Sequence, residues 1–275
     1  MFSLFEFLQH STVKIECTLT DGAQASGTGF FYQFKFNDET TTTVIFTNKH
    51  VVEDAESGSF KLTALGSGGK PNYQDQITIN INDFENQWIM HPDEDVDLCL
   101  FPASRVLSAI EEQGKEACFA PIRENEMPDF NNTDIFKPTE EVHMVGYPNG
   151  LGDETNNLPL IRKGITATPF FINHNGVQEF LIDCACFPGS SGSPVLIVNE
   201  GSYSLHKQPL QSGNRMLLLG VLYAGPQYDA EGEIVKYKIP RKKVMTDIPM
   251  NLGYCIQSIR ILDFLPILEE FRSNE

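Results

Sequence analysis

The chain lacks a long apolar run and a surplus of basic residues. No stretch reaches the roughly 18 uninterrupted apolar residues of a membrane span, so we predict neither a transmembrane helix nor a membrane partner. The 20 Lys and Arg residues are outnumbered by 37 Asp and Glu residues, which gives a formal net charge of −17. This charge would repel a polyanion, so we exclude nucleic acid as a main partner.

Export and metal-binding signals are also missing. The first ten residues are apolar, but they contain Glu6 and no basic n-region, so they make a poor secretory signal. The cysteines lack the spacing of a disulfide framework. They are Cys17, Cys99, Cys118, Cys184, Cys186 and Cys255. Only Cys184 and Cys186 lie close together, and two thiols do not complete a four-ligand zinc site. We therefore expect reduced thiols, a cytoplasmic location, no metal and no cofactor.

Short strand signals dominate what is present. Aromatic and polar side chains alternate along residues 27–36, which is the period of a strand. The aromatic face of this strand would hold Phe30, Tyr32, Phe34 and Phe36. Gln33 and Lys35 fall on the opposite face. Further strands are predicted at 43–47, 77–81, 98–101, 142–147, 178–182, 194–198 and 216–223, with turn-forming clusters between them.

Helical periodicity is scarce. We predict one helix over residues 104–113 with Ser104 as its N-cap, and a C-terminal helix that begins at Ser258. The apolar face of the second helix would carry Ile259, Leu262 and Leu265. Pro266 should kink or end this helix, because proline lacks an N–H donor and crowds the preceding turn.

Many short strands and few helices predict an all-β sandwich or a pair of β-barrels. We interpret residues 1–275 as one domain. Its parts are an N-terminal β-lobe (10–103), an acidic bridge (104–137), a C-terminal β-lobe (138–255) and a C-terminal helix (256–275).

A candidate nucleophile lies in the segment 189–194, which reads GSSGSP. A reactive serine needs an exposed tight turn and nearby backbone N–H groups that face the substrate oxygen, and flanking glycines permit that backbone. Ser191 would be the nucleophile, and the N–H groups of Gly189 and Ser191 would form an oxyanion hole. Taken alone, the motif favours a reactive serine but does not exclude an ordinary Gly/Ser loop.

A candidate base and its partner follow two other apolar strands. His50 comes directly after the strand TVIFT in the segment TNKHV, and histidine is the usual base near neutral pH. Asp97 opens the apolar run LCLF, and a partly buried carboxylate there needs a partner such as the imidazole N–H. Asp93 and Asp95 are close rivals for this role. An isolated histidine could instead be a structural core residue.

The three segments, in the order His, Asp, Ser, resemble the chymotrypsin/trypsin-like superfamily of serine proteases. The segments TNKHV, GTGFF, VGYPNG and RKGITAT are most similar to its bacterial HtrA/Deg-type branch. The resemblance implies a fold of two antiparallel β-barrels with the active site between them. It also implies that His50 is the general base, that Asp97 orients it and that Ser191 is the nucleophile. No PDZ domain is recognised after the peptidase domain.

The resemblance further implies substrate-binding positions. Tyr223, Ala224 and Gly225 would pair with the substrate backbone by strand addition, and Ala185 would lie at the floor of the primary specificity pocket. An uncharged floor argues against a basic preference, so we expect small or medium apolar residues at the cleavage site. Ser190 stands where digestive family members carry an Asp that pairs with a newly freed N-terminus, which argues against activation by cleavage.

The residues leave more than one functional hypothesis open. The first is a serine endopeptidase that acts on protein or peptide substrates. The second is a non-catalytic or latent peptide-binding module on the same fold, switched by a partner. An unrelated acyl hydrolase is disfavoured because G-x-S-x-G is absent at Ser191. We expect activity to be restrained by a narrow cleft, a disordered loop or a regulatory partner protein, with the polar segments 104–137 and 199–215 as candidate loops.

Overall fold

The computed structural model describes residues 2–36, 40–234 and 242–273. Two β-lobes follow one another along the chain, and the all-β prediction is confirmed. Within the described ranges, no helix is long and apolar enough to cross a bilayer.

The N-terminal lobe is built on one sheet. Its strands are β1 (Thr12–Leu19), β2 (Gln24–Lys35), β3 (Thr41–Thr47), β4 (Ala55–Leu65), β5 (Pro71–Asn82), β6 (Ile89–Met90), β7 (Cys99–Pro102), β8 (Ala117–Cys118) and β9 (Ile122–Arg123). Hydrogen bonds join seven of the nine strands along the open path β5-β4-β1-β2-β3-β7-β6, with β8 on β4 and β9 on β2. Part of the predicted bridge thus adds strands to this sheet. The helices of the lobe are α1 (Leu4–His10), α2 (Lys49–Val52) and α3 (Ala103–Glu111).

The C-terminal lobe closes into a six-stranded barrel in the order β10-β11-β12-β19-β16-β13. These strands are β10 (Glu141–Gly146), β11 (Leu160–Thr166), β12 (Glu179–Asp183), β13 (Pro194–Asn199), β16 (Arg215–Ala224) and β19 (Leu252–Gln257). Two hairpins project from it, β14 (Ser202–Ser204) with β15 (Leu210–Ser212), and β17 (Gln227–Ile234) with β18 (Lys242–Pro249). The first hairpin lies within the predicted polar loop 199–215.

Aromatic side chains of β2 and β3 join the two lobes. Phe30, Tyr32 and Phe34 are fully buried, and they pack in one cluster with Leu196 and Val221 of the barrel. The next residue on the other face of β2, Phe31, packs into a separate core of the N-terminal lobe. Both faces of β2 are therefore covered, and the predicted aromatic face forms the contact between the lobes.

Both predicted helices exist, but their ends differ from the prediction. The N-cap of α3 is Pro102, so Ser104 lies inside the helix. At the C-terminus a 3₁₀ helix (Ser258–Phe264) precedes α4 (Leu265–Ser273). Pro266 therefore lies in the first turn of an α-helix, where the missing N–H has no intrahelical acceptor to lose.

The buried face of this C-terminal segment also differs from the predicted one. Ile261 and Phe264 are fully buried, three residues apart as the 3₁₀ period requires, while Ile259 and Leu262 are only partly covered. The prediction assumed the 3.6-residue period of an α-helix, and it therefore placed the buried face one or two positions away from the observed one.

Candidate active site

His50 and Asp97 meet beside two paired strands. His50 lies in α2 just after β3, Asp97 lies just before β7, and β3 and β7 pair antiparallel. Nδ1 of His50 is 2.5 Å from Oδ2 of Asp97, and the backbone N–H of His50 donates to Oδ1 at 3.2 Å. Since the carboxylate binds Nδ1, Nε2 is the ring nitrogen left to exchange a proton with a substrate or nucleophile.

The backbone around Asp97 is held from the histidine side. Nδ2 of Asn48 donates to the carbonyl oxygen of Asp97 at 2.7 Å, and Nζ of Lys49 donates to the carbonyl oxygen of Asp93 at 3.0 Å. The rival acids face other groups. The carboxylate of Asp93 binds Nη2 of Arg260 at 2.8 Å, and Asp95 is exposed.

The segment 91–97, here called the acid loop, is also held by the C-terminal 3₁₀ helix. The Arg260 guanidinium binds Asp93, Asp263 at 2.7 Å and Gln178 at 3.0 Å. The ring of His91, at the start of the loop, lies 3.2 Å from the carbonyl oxygen of Arg260. Groups from both lobes therefore fix the loop that delivers Asp97.

Ser191 follows a tight turn formed by residues 187–190. The N–H of Ser190 donates to the carbonyl oxygen of Phe187 at 3.0 Å. Gly189 has φ +79°, which matches the third residue of a type II turn and favours glycine. Neither Gly189 nor Ser191 donates its backbone N–H to any acceptor in the described part of the chain. These two donors are free to bind a substrate oxygen, as an oxyanion hole requires.

Thr28 of β2 connects this turn to the strand that leads to His50. Its N–H donates to the carbonyl oxygen of Ser191 at 2.9 Å, and its Oγ1 donates to that of Gly189 at 3.0 Å. Its own carbonyl oxygen accepts from Oγ1 of Thr47 at 2.8 Å. The turn therefore lies against the end of β3. No hydrogen bond joins Ser191 and His50 within the described residues.

A pocket of about 200 Å³ opens beside Ser191. Its lining residues are Cys186, Phe187, Pro188, Ser191, Leu222, Tyr223, Ala224, Gly225, Pro226 and Leu252. None of these side chains carries a formal charge. Tyr223, Ala224 and Gly225 therefore line the same pocket as Ser191. Ala185 is exposed and does not line the pocket; its neighbour Cys186 does.

The thiols near this pocket are buried, which disfavours their thiolate form. Burial raises the pKa of Cys186 to about 12. Burial also raises the pKa values of Cys184 and Cys255. Because the thiolate is the nucleophilic and metal-binding form, these side chains act as small apolar walls. All six cysteines are free and buried, and the described ranges contain no group of side chains that could hold a metal ion.

Sequence reasoning missed Arg162, Arg260 and Cys186. Cys186 directly follows Ala185, which was predicted as the pocket floor. The predicted floor position is therefore one residue too early in the sequence. Arg162 binds the Ala185 carbonyl oxygen and the Ser190 hydroxyl, and Arg260 binds Asp93; these partners are distant in sequence, and no local pattern indicates them.

The comparison with protein families decides the classification. The trypsin-like peptidase domain matches residues 27–202, which include all three predicted triad positions. The chain belongs to this family of serine peptidases. A search of curated proteins gives no match.

Solved structures similar to this peptidase are distant in sequence. The active form of the Rv3671c protease from M. tuberculosis is 15% identical with a TM-score of 0.45, over 92% of this chain and 78% of that chain. AlgW, an HtrA-type protease solved with a tripeptide, is 13% identical with a TM-score of 0.46, over 94% and 60% of the two chains. The serine endoprotease from Yersinia pestis is 15% identical with a TM-score of 0.45, over 94% and 63%.

Proposed function

We propose that this peptidase is a serine endopeptidase that cleaves protein or peptide substrates through an acyl-enzyme, with His50, Asp97 and Ser191 as its catalytic triad. The observation that carries the proposal is the 2.5 Å contact between Nδ1 of His50 and Oδ2 of Asp97. It joins residues from two separate segments in the geometry that a general base needs.

The proposed reaction starts when Oγ of Ser191 attacks the scissile carbonyl and gives its proton to Nε2 of His50. Asp97 stabilises the imidazolium, and the N–H groups of Gly189 and Ser191 bind the negative oxygen of the tetrahedral intermediate. His50 then protonates the departing amine, which leaves an ester on Ser191. Water, deprotonated by His50, attacks this ester and releases the acid product. A bound substrate would tighten the contact between Ser191 and His50, since such bonds are often long in a free enzyme.

The pocket beside Ser191 supports an uncharged preference at the cleavage site. Cys186, Leu222 and Leu252 contribute apolar surface, and the volume of about 200 Å³ suits a small or medium side chain. The pocket offers no carboxylate for Arg or Lys. A positional-scanning peptide library should therefore favour apolar residues, and a dominant basic preference would contradict this assignment.

Labelling with a fluorophosphonate probe tests the nucleophile. The wild-type chain should be labelled, and Ser191→Ala should abolish labelling because the reacting oxygen is gone. Ser108→Ala removes an exposed hydroxyl on α3 and is the matched control, which should label like the wild type.

Two results would change the conclusion. Labelling that persists in Ser191→Ala would move the nucleophile to another residue. A folded wild-type chain that binds peptides but is never labelled, alone or with a cell lysate added, would favour the peptide-binding hypothesis.

A further inference from the structure

Arg162 of β11 lies beside the turn formed by residues 187–190, here called the nucleophile turn, and it pairs with no carboxylate among the described residues. Its Nη1 donates to the carbonyl oxygen of Ala185 at 2.7 Å and to Oγ of Ser190 at 2.9 Å. Its Nε and Nη2 are buried and have no hydrogen-bond partner within the described residues. Burial lowers the pKa of the guanidinium. The site thus contains a desolvated cation with only part of its donors satisfied.

A buried arginine with unsatisfied donors contributes little to the stability of a fold. Taking a charge out of water costs free energy, and an apolar side chain of similar size often serves the fold as well or better. Among the described residues, Arg215 is the other arginine with a buried unpaired nitrogen, and it is held differently. Its Nη2 binds the carboxylate of Glu140 at 3.2 Å, and its Nε binds Asn199 at 2.9 Å. In the described part of the chain Arg162 has no comparable carboxylate partner, so a contribution to stability does not explain why an arginine stands at this position.

The two acceptors of Arg162 enclose residues 186–189, which include most of the nucleophile turn. Ala185 precedes the turn, and Ser190 is its last residue, directly before Ser191. Ser190 is fully buried, so its hydroxyl is not available to solvent. A single guanidinium nitrogen therefore links Ala185 to Ser190. The peptide that carries the Gly189 N–H lies between these two residues.

We propose that Arg162 is a positioning residue that holds the nucleophile turn in the form in which the N–H groups of Gly189 and Ser191 converge on the substrate oxygen. This inference rests on the proposed function, because the oxyanion hole matters only if acyl transfer takes place. Because Arg162 stands on β11 and bonds the Ser190 hydroxyl, the turn is anchored to a strand of the barrel.

Kinetics of Arg162→Met and Arg162→Lys test the role. In Arg162→Met we expect kcat to fall about 100-fold with KM changed less than about twofold, because a misplaced oxyanion donor acts on the transition state. The melting temperature should stay the same or rise, since an unpaired buried charge is removed. Lysine can reach one acceptor, so Arg162→Lys should recover part of kcat.

Arg215→Met is the matched control, because it also removes a largely buried arginine. It should lower the melting temperature, because Glu140 loses its partner, and leave kcat per folded molecule unchanged. If kcat of Arg162→Met stays within twofold of wild type, or falls only in proportion to a lost folded fraction, the proposal is overturned.

Ser190→Ala removes one of the two acceptors and keeps the charge. It should lower kcat less than Arg162→Met does. The double variant should be no slower than Arg162→Met alone, because both changes break the same bond. Fully multiplicative effects on kcat would show that Ser190 and Arg162 act independently.

Amide hydrogen exchange tests the turn without relying on activity. The N–H of Ser190 binds Phe187, and the N–H of Asn149 binds the Pro188 carbonyl oxygen at 2.5 Å. Both amides should exchange faster in Arg162→Met than in the wild type. Their exchange rates should be unchanged in Arg215→Met. Unaltered exchange in Arg162→Met would refute the positioning role, whereas a wild-type chain with normal exchange and no probe labelling would refute only the proposed function.

Discussion

A methyl group at position 192 would collide with the carbonyl oxygen of Thr28 and with Oγ1 of Thr47. Gly192 also has φ +83°, where side chains with a Cβ are strained. Gly192→Ala should therefore lower the free energy of unfolding by at least about 2 kcal/mol, from backbone strain and overpacking together. It should also reduce probe labelling, because Ser191 would be displaced. Urea unfolding and labelling rates measure the two effects.

Gly176 is the matched control for this prediction. It has φ +87°, but a methyl group there would meet no atom within 4 Å. Gly176→Ala should lower the free energy of unfolding by about 1–2 kcal/mol, from backbone strain alone, and it should leave probe labelling unchanged. Equal losses in the two variants would show that contact with Thr28 does not matter.

Each member of the proposed triad was predicted from a local signal: His50 follows an apolar strand, Asp97 opens one, and Ser191 lies in a glycine-flanked turn before another. His50 and Asp97 are in contact, and the choice of Asp97 over Asp93 agrees with their different partners. Arg162 could not be found in this way. Its acceptors lie 23 and 28 residues away, and a lone arginine on a strand carries no information about what it will face.

The acid loop is the element whose order should matter most for the base. Arg260 ties it to the C-terminal 3₁₀ helix through Asp93 and to the barrel through Gln178. Arg260→Gln should lower kcat about tenfold, because a small misplacement of Asp97 misorients His50. Steady-state kinetics on folded protein measure this effect.

Lys163→Gln is the control for the loss of an ion pair. Lys163 pairs with Glu141 at 3.0 Å on the exposed surface of the barrel, where such pairs are worth about 0–1 kcal/mol. It should change neither kcat nor the melting temperature. If Arg260→Gln behaves like this control, the acid loop does not depend on Arg260.

Strand positions followed from sequence more reliably than helix ends. Alternation along 27–36 identified β2 because a two-residue period has no close competitor. The helix type of the C-terminal segment was harder to predict, because the three-residue period of a 3₁₀ helix and the 3.6-residue period of an α-helix differ little over seven residues. Ser104 was assigned as a cap by its type alone, but the helix begins directly after Pro102, whose fixed φ suits a helix start.

The whole molecule should lose stability in mild acid. Burial lowers the pKa values of His10, His91 and His143, which lie in different parts of the chain. The unfolded chain, with ordinary histidine pKa values of about 6.5, takes up protons before the folded protein does. The free energy of unfolding should therefore be greatest above pH ~6.5 and fall as pH decreases through the lowered folded-state pKa values.

Urea unfolding at pH 7.5 and 6.0 measures this loss. Each buried histidine contributes at most about 1.4 kcal/mol per pH unit to the slope. His91→Asn retains an acceptor for the Asp93 N–H, which now donates to Nδ1 of His91 at 3.0 Å, and should reduce the slope. A variant with the wild-type slope would show that His91 is not among the groups that titrate on unfolding.

The bonds of Thr28 bear on whether the two lobes can move apart. Its hydroxyl also accepts the N–H of Tyr147 at 3.0 Å, so this single side chain and its peptide contact β3, the start of the barrel and the nucleophile turn. Any hinge or sliding motion that parted the lobes would break these bonds at once inside a dry environment. We therefore expect the two lobes to keep their relative positions when a substrate binds, because separating them would leave these buried polar groups without partners.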